Sequence, residues 1–84
     1  MLKVEDVVKI ARSQVGYHEK ETEDCLDDFT ENSGDKNFTK YARDMDEINF
    51  YNGKKQGYPW CAVFIDWCFY QACGDAMEVR RKKF

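Results

Sequence analysis

Gly57-Tyr58-Pro59-Trp60-Cys61-Ala62-Val63-Phe64-Ile65-Asp66-Trp67-Cys68 sets a proline, a tryptophan and a cysteine ahead of an almost wholly apolar run. Proline suits the first position of a helix, because its missing N–H is one that a helix start leaves unpaired anyway. The apolar residues continue through Phe69 and Ala72 to Cys73, and Gly74 offers a left-handed stop. The pattern predicts a helix over about 59–73. Only Asp66 and Gln71 interrupt its apolar surface, so the helix is expected to be central and packed on several sides.

Two further helices flank it. Val4, Val7, Val8, Ala11 and Val15 recur at helical spacing with Lys9, Arg12 and Gln14 opposite, which predicts a helix over about 3–15 that ends at Gly16. Phe38, Tyr41, Ala42, Met45 and Ile48 repeat the spacing and predict a helix over about 38–47, with Asn37 as its cap. Residues 17–36 between them are acidic and polar, with Cys25, Leu26 and Phe29 as one anchored turn and Asn32 to Asp35 as turn formers. Asn52-Gly53 marks a tight turn ahead of the third helix. The expected fold class is mainly α, one small domain over residues 1–84, with 75–84 as a frayed basic tail.

Eighty-four residues limit the chain to one compact core, and a composition 43% hydrophobic with thirteen aromatics is that of a folding sequence. The net charge of −3 is uneven. Arg80, Arg81, Lys82 and Lys83 contribute four positive charges, so residues 1–79 carry −7. An acidic body argues against direct nucleic-acid binding, which needs lysine and arginine to neutralise phosphates. No apolar run approaches the roughly 20 residues that cross a bilayer, and the start, Met1 to Asp6, carries acids where a signal peptide is basic and then apolar. The chain is read as cytoplasmic, in a bacterial host, and not membrane-bound. No cofactor is expected.

The acidic loop does not make a calcium site, because Phe29 falls at the first ligand position when Gly34 is set at the fixed glycine of an EF-hand. Asn37-Phe38-Thr39 spells a glycosylation acceptor, read as chance in a chain without an export signal. Four cysteines, Cys25, Cys61, Cys68 and Cys73, form no C-x-x-C pair, and His18 is the single histidine, so neither a zinc site nor a disulfide framework is expected. Unequal roles fit best. Cys61 falls in the first turn of the central helix, where unpaired N–H groups and the helix dipole favour negative charge and so a thiolate nucleophile. Cys68, two turns on, is expected to be an ordinary core thiol.

The segment GYPWCAVFIDWC (57–68), with NFTKYARDM (37–45) and ARSQVGYHEK (11–20) before it, resembles the N-terminal half of a CHAP domain. These are cysteine, histidine-dependent amidohydrolases and peptidases of the papain-like superfamily, related to the NlpC/P60 enzymes, and the texture is closest to versions carried by phages and prophages. The resemblance runs from about Val4 to Gly74, and W-C-A-x-F-x-x-W-C is its most specific part. It implies the helical half of a papain-like α+β fold, with Cys61 as a nucleophile that attacks an amide in peptidoglycan. It also implies that a histidine on a later strand takes the thiol proton.

The chain departs from that pattern after Cys61, where no histidine occurs and residues 75–84 cannot supply a sheet. His18 lies in the loop after the first helix, where the family does not carry its base. Asp66, one turn beyond Cys61, is expected to make a surface or capping contact and is no activator, since an acid beside a thiol disfavours the thiolate. Three expectations follow. One is a truncated CHAP-like amidase or endopeptidase domain, inactive alone. Another is a non-enzymatic phage or mobile-element protein that inhibits a host protein, for example an anti-CRISPR, through its acidic body or its aromatic helix. The third is an enzyme completed by His18 or by another chain. Without a sheet, Trp60, Phe64, Trp67, Phe69 and Tyr70 exceed what two short helices can cover, which predicts a homodimer or a protein partner over the third helix.

Overall fold

The computed structural model describes residues 3–75 and 77–79. Three helices follow in chain order: α1 over Val4–Ser13, α2 over Lys40–Glu47 and α3 over Cys61–Cys73. Residues 77–79 are also helical. The fold is mainly α, as the periodicity predicts, and among the described residues the β pairing is confined to isolated antiparallel bridges. α3 packs on both α1 and α2. Among the described residues no helix is long and apolar enough to cross a membrane.

The helix boundaries are set by local chemistry. α2 starts at Thr39, not at Asn37: the Thr39 hydroxyl accepts from the Ala42 amide at 3.1 Å, the bond expected of an N-cap. Gln56 locks the same residue from outside, accepting from its amide at 2.8 Å and donating to its carbonyl at 2.9 Å. α2 ends through Asn49 in left-handed backbone at φ 52°. The Phe50 amide reaches back to the Met45 carbonyl and the Asn49 amide to that of Asp46, each at 3.1 Å, which is a Schellman closure with asparagine where glycine is usual. α3 ends at Gly74, left-handed at φ 75°, as its sequence predicts. Its start lies two residues later than expected, because Trp60 is the capping position and Pro59 precedes it.

Tyr41 is the hub of the core. Its ring meets Tyr17 at 4.9 Å, Phe64 and Trp67 each at 4.8 Å, and stacks on Trp60 at 5.6 Å. Met45, Ala42, Phe50, Val63, Cys68 and Val79 complete the buried cluster. The aromatic residues of α3 therefore find more cover than the sequence predicts. Trp67 is buried, and Trp60, Phe64, Phe69 and Tyr70 are half-buried, so the broad exposed face expected of this helix is not formed. The premise overlooked what the loop, the 48–60 segment and Val79 contribute to the packing. Val79 is in the segment expected to be a frayed tail; residues 80–84 lie outside the described residues.

Residues 17–38 form a closed loop rather than a solvated span. Lys20 and Phe38 exchange backbone hydrogen bonds of 2.7 and 3.4 Å, pinning the two ends of the excursion together. Leu26 is buried at its far side and receives the Tyr17 hydroxyl on its carbonyl at 2.6 Å, so the anchored turn forms. Cys25 is exposed beside it in left-handed backbone at φ 58°. Lys20 is fully buried, with its ammonium donating to the Glu31 carbonyl at 2.6 Å and lying 5.0 Å from the Tyr17 ring centre. Arg43 ties the loop to α2 through a two-pronged pair with Asp27 at 2.6 and 2.9 Å.

Gly34 is required by close approach. A Cβ there would stand 2.8 Å from the Glu21 Cβ and 2.9 Å from its Cα, inside contact distance of backbone. Gly34→Ala is expected to destabilise the fold by about 1–3 kcal/mol through this overpacking. A lowered thermal midpoint checks it, with Gly53→Ala, where nothing lies within 4 Å, as the neutral control.

Candidate functional site around the start of α3

The first hydrogen bond of α3 joins the Phe64 amide to the Trp60 carbonyl at 2.8 Å. The amides of Cys61, Ala62 and Val63 therefore have no acceptor within the helix, which leaves the N-terminal end electropositive. Cys61 is the first residue of the helix and is exposed. Cys68, two turns on, is buried, and burial pushes its thiol from an ordinary 9.0 up to about 11. Cys73 is half-buried and points its sulfur at the Glu78 carboxylate at 3.1 Å, a contact that raises its pKa. The two cysteines of the W-C-A-x-F-x-x-W-C motif thus differ sharply in access to solvent.

Two hollows are lined by the neighbours of Cys61 in sequence. Trp60 and Phe64 line one of about 270 Å³, together with Ala11, Gln14, Val15 and Tyr41. Ala62 and Val63 line the other, of about 480 Å³, with Tyr51, Lys54, Lys55 and Tyr58. A wider hollow, about 590 Å³, lies between the loop and α2, against Glu23, Leu26, Arg43 and Lys54, and touches neither motif cysteine. Volume and chemistry therefore point to different places. That hollow carries no nucleophile, and its Asp46 carboxylate is already held by the amides of Lys55 and Gln56 at 2.9–3.1 Å.

His18 is exposed, with Nδ1 3.0 Å from the Ser33 hydroxyl and its amide donating to the Phe29 carbonyl at 2.8 Å. Among the described residues no hydrogen bond joins His18 to Cys61. Glu19, the next residue, does reach this end of α3, accepting from the Trp60 indole at 3.4 Å, so the loop backbone passes close to the helix start. Asp66 is not the surface residue expected of it. It is buried and accepts a short 2.5 Å hydrogen bond from the Tyr51 hydroxyl, on the side of α3 that faces the 48–60 segment. Burial and that bond raise the Tyr51 pKa.

Of the aromatic residues expected to meet a partner, Trp67 is committed to the core and donates its indole N–H to Asp44 at 2.9 Å. Trp60, Phe64, Phe69 and Tyr70 keep partial exposure. Sequence reasoning missed Tyr51, Glu19 and Gln56 as supports of this region; the polar residues that flank an apolar helix in sequence were a signal too general to single them out. Among the described residues no three His, Cys, Asp or Glu side chains converge as a metal site would require.

No protein-family model, no curated protein and no solved structure matches the chain.

Proposed function

We propose that these residues are the nucleophile-bearing helical half of a CHAP-like cysteine hydrolase, of phage or prophage type, and that they do not cut peptidoglycan by themselves. The observation that carries the reading is the contrast within one motif: Cys61 is exposed at the electropositive start of α3 while Cys68 is buried. A thiol at that position is placed for attack on an amide carbonyl, with the amides of residues 61–63 as candidate donors to the oxyanion that forms. The same residues lack a base. His18 is engaged with Ser33, and no histidine follows Cys61 in the sequence. A proton acceptor for the thiol, and the strand that carries it, would have to come from outside these residues.

Release of soluble fragments from dye-labelled peptidoglycan tests this reading. The chain alone is expected to release no more than a buffer control, with Cys61→Ala indistinguishable from it. Hydrolysis that disappears in Cys61→Ala would show that the base is present after all, and its loss in His18→Ala would identify that base.

A second reading is favoured by the loop. Glu21, Glu23, Asp24, Asp28, Glu31 and Asp35 are all exposed on residues 17–38, while Lys20 is buried and contributes no charge to that surface. Such a face suits a basic groove, so a phage or mobile-element inhibitor of a host nucleic-acid enzyme, of the anti-CRISPR kind, would bind through it. Capture of one host protein at equal stoichiometry, weakened by salt and by Glu→Gln changes in the loop but indifferent to Cys61→Ala, distinguishes this reading from the first.

A further inference from the structure

α2 opens with Lys40, whose ammonium makes no ion pair among the described residues. Two acids stand near it, Asp27 and Asp44, and each of their four oxygens is already engaged. Arg43 donates to both Asp27 oxygens at 2.6 and 2.9 Å and to one Asp44 oxygen at 3.0 Å. The Trp67 indole donates to the other Asp44 oxygen at 2.9 Å. Aromatic rings surround the Lys40 ammonium instead. Its nitrogen lies 4.8 Å from the centre of the Phe29 ring, 5.2 Å from that of Tyr17, and 5.7 Å from those of Tyr41 and Trp67. All four distances fall within the roughly 6 Å over which a ring attracts a cation.

The four rings come from separate parts of the fold. Tyr17 and Phe29 are on the loop, whereas Tyr41 of α2 and Trp67 of α3 are buried in the core. Phe29 is half-buried, and its one ring neighbour among the described residues is Tyr17, at 5.6 Å. Lys40 therefore joins Phe29 to the core through its charge. This tie lies two residues beyond the point where Arg43 holds the loop by Asp27.

We infer that the Lys40 ammonium is a clasp that closes the loop at Phe29, and that its amine is a modification site whose acylation opens the loop. The clasp needs a charge, because an amide nitrogen is neutral and loses the attraction of the rings. An acyl thioester supplies the group: the amine nitrogen bonds the acyl carbon, the carbon–sulfur bond breaks, and the nitrogen's proton leaves with the thiolate. Lys40 is only half-buried, and burial lowers its pKa, which enlarges the unprotonated fraction that attacks. Opening reaches beyond Phe29, because the same loop sets Glu19 against the Trp60 indole at the start of α3. The clasp stands on these contacts and holds under either reading of function.

Amide hydrogen exchange on the full chain at neutral pH tests the inference. The His18 amide donates to the Phe29 carbonyl and reports closure of the loop, while the Phe64 amide donates to the Trp60 carbonyl and reports α3. Nε-acetylation installed at Lys40, and Lys40→Gln, are each expected to speed exchange at His18 by roughly five- to thirtyfold. Exchange at Phe64 is expected to change by less than about twofold, since a local opening leaves the core closed. Lys40→Arg keeps the charge and should exchange as the wild type does. The acetyl thioester of N-acetylcysteamine should acetylate Lys40 in the folded chain and spare the fully buried Lys20. His18 exchange that is unchanged by acetylation would overturn the inference, as would an equal rise at His18 and Phe64. So would Lys40→Arg as open as Lys40→Gln, or a Lys40 acetylated no faster than Lys20.

Discussion

Tyr41→Ala is expected to remove a large share of the chain's stability and to lower its unfolding midpoint sharply. Tyr41 is buried and its ring touches four other aromatic rings, Phe64 and Trp67 of α3, Trp60 at its cap and Tyr17 after α1. Removing a large buried aromatic side chain costs about 3–5 kcal/mol, through lost burial and the cavity left behind. A domain of this length has a total stability of roughly 4–13 kcal/mol, so the loss takes a large share of it. Tyr41→Phe keeps the ring and loses only the bond to Gln14, a cost of about 1 kcal/mol. Urea titration of both variants checks the claim. A Tyr41→Ala protein with the wild-type midpoint would show that the core is organised around some other residue.

The second large effect is alkaline. Burial raises the Cys68 thiol from 9.0 to about 11, and burial is also the largest cause of the raised pKa values of Tyr17, Tyr41 and Tyr51. A group whose pKa is higher when folded binds more protons in the folded state, so its stabilising contribution is complete below its unfolded pKa and declines as pH rises above it. Cys68 alone then removes on the order of 2 kcal/mol between pH 9 and about 11, at about 1.4 kcal/mol per pKa unit. The three tyrosines begin to act from pH 10, their ordinary value, and Tyr51 carries the added influence of Asp66. The thermal midpoint is expected to be flat from neutral pH to about 9 and to fall steeply beyond it. In Cys68→Ala the fall should begin near pH 10. A midpoint unchanged up to pH 11 would mean that these side chains are not buried as described.

Much of this fold was legible in the chain, and the failures have physical causes. The three helices stand out because apolar residues at helical spacing report burial directly, and Gly74 ends α3 because only left-handed backbone suits that closure. Asn49 performs the same task for α2 and went unread, since asparagine is common in loops for many reasons. In α1 the spacing found a helix but not its orientation. The valines Val4, Val8 and Val15 are turned outward while Val7 and Ile10 pack, because two overlapping apolar stripes satisfy one period.

Polar residues were harder. Lys20, Thr39 and Asp66 are buried, and their satisfaction depends on Glu31, Gln56 and Tyr51, partners between 11 and 17 residues away in sequence. Pattern reasoning places charged residues outside by default, and only the tertiary structure reveals such pairs. The place of Cys61 at the helix start was legible because Pro59, the apolar run and Gly74 bracket α3 from the sequence alone, whereas its exposure is read only from the folded chain.

The central claim is that α3 offers its first cysteine to solvent and withholds its second. Mass-spectrometric mapping of iodoacetamide alkylation, run on the folded chain at neutral pH, tests this directly. Cys61 is expected to be modified at least about tenfold faster than Cys68, whose thiol is both buried and harder to ionise. Cys25, also exposed, serves as the reference for an accessible thiol. A Cys61 rate no greater than that of Cys68 would contradict the account.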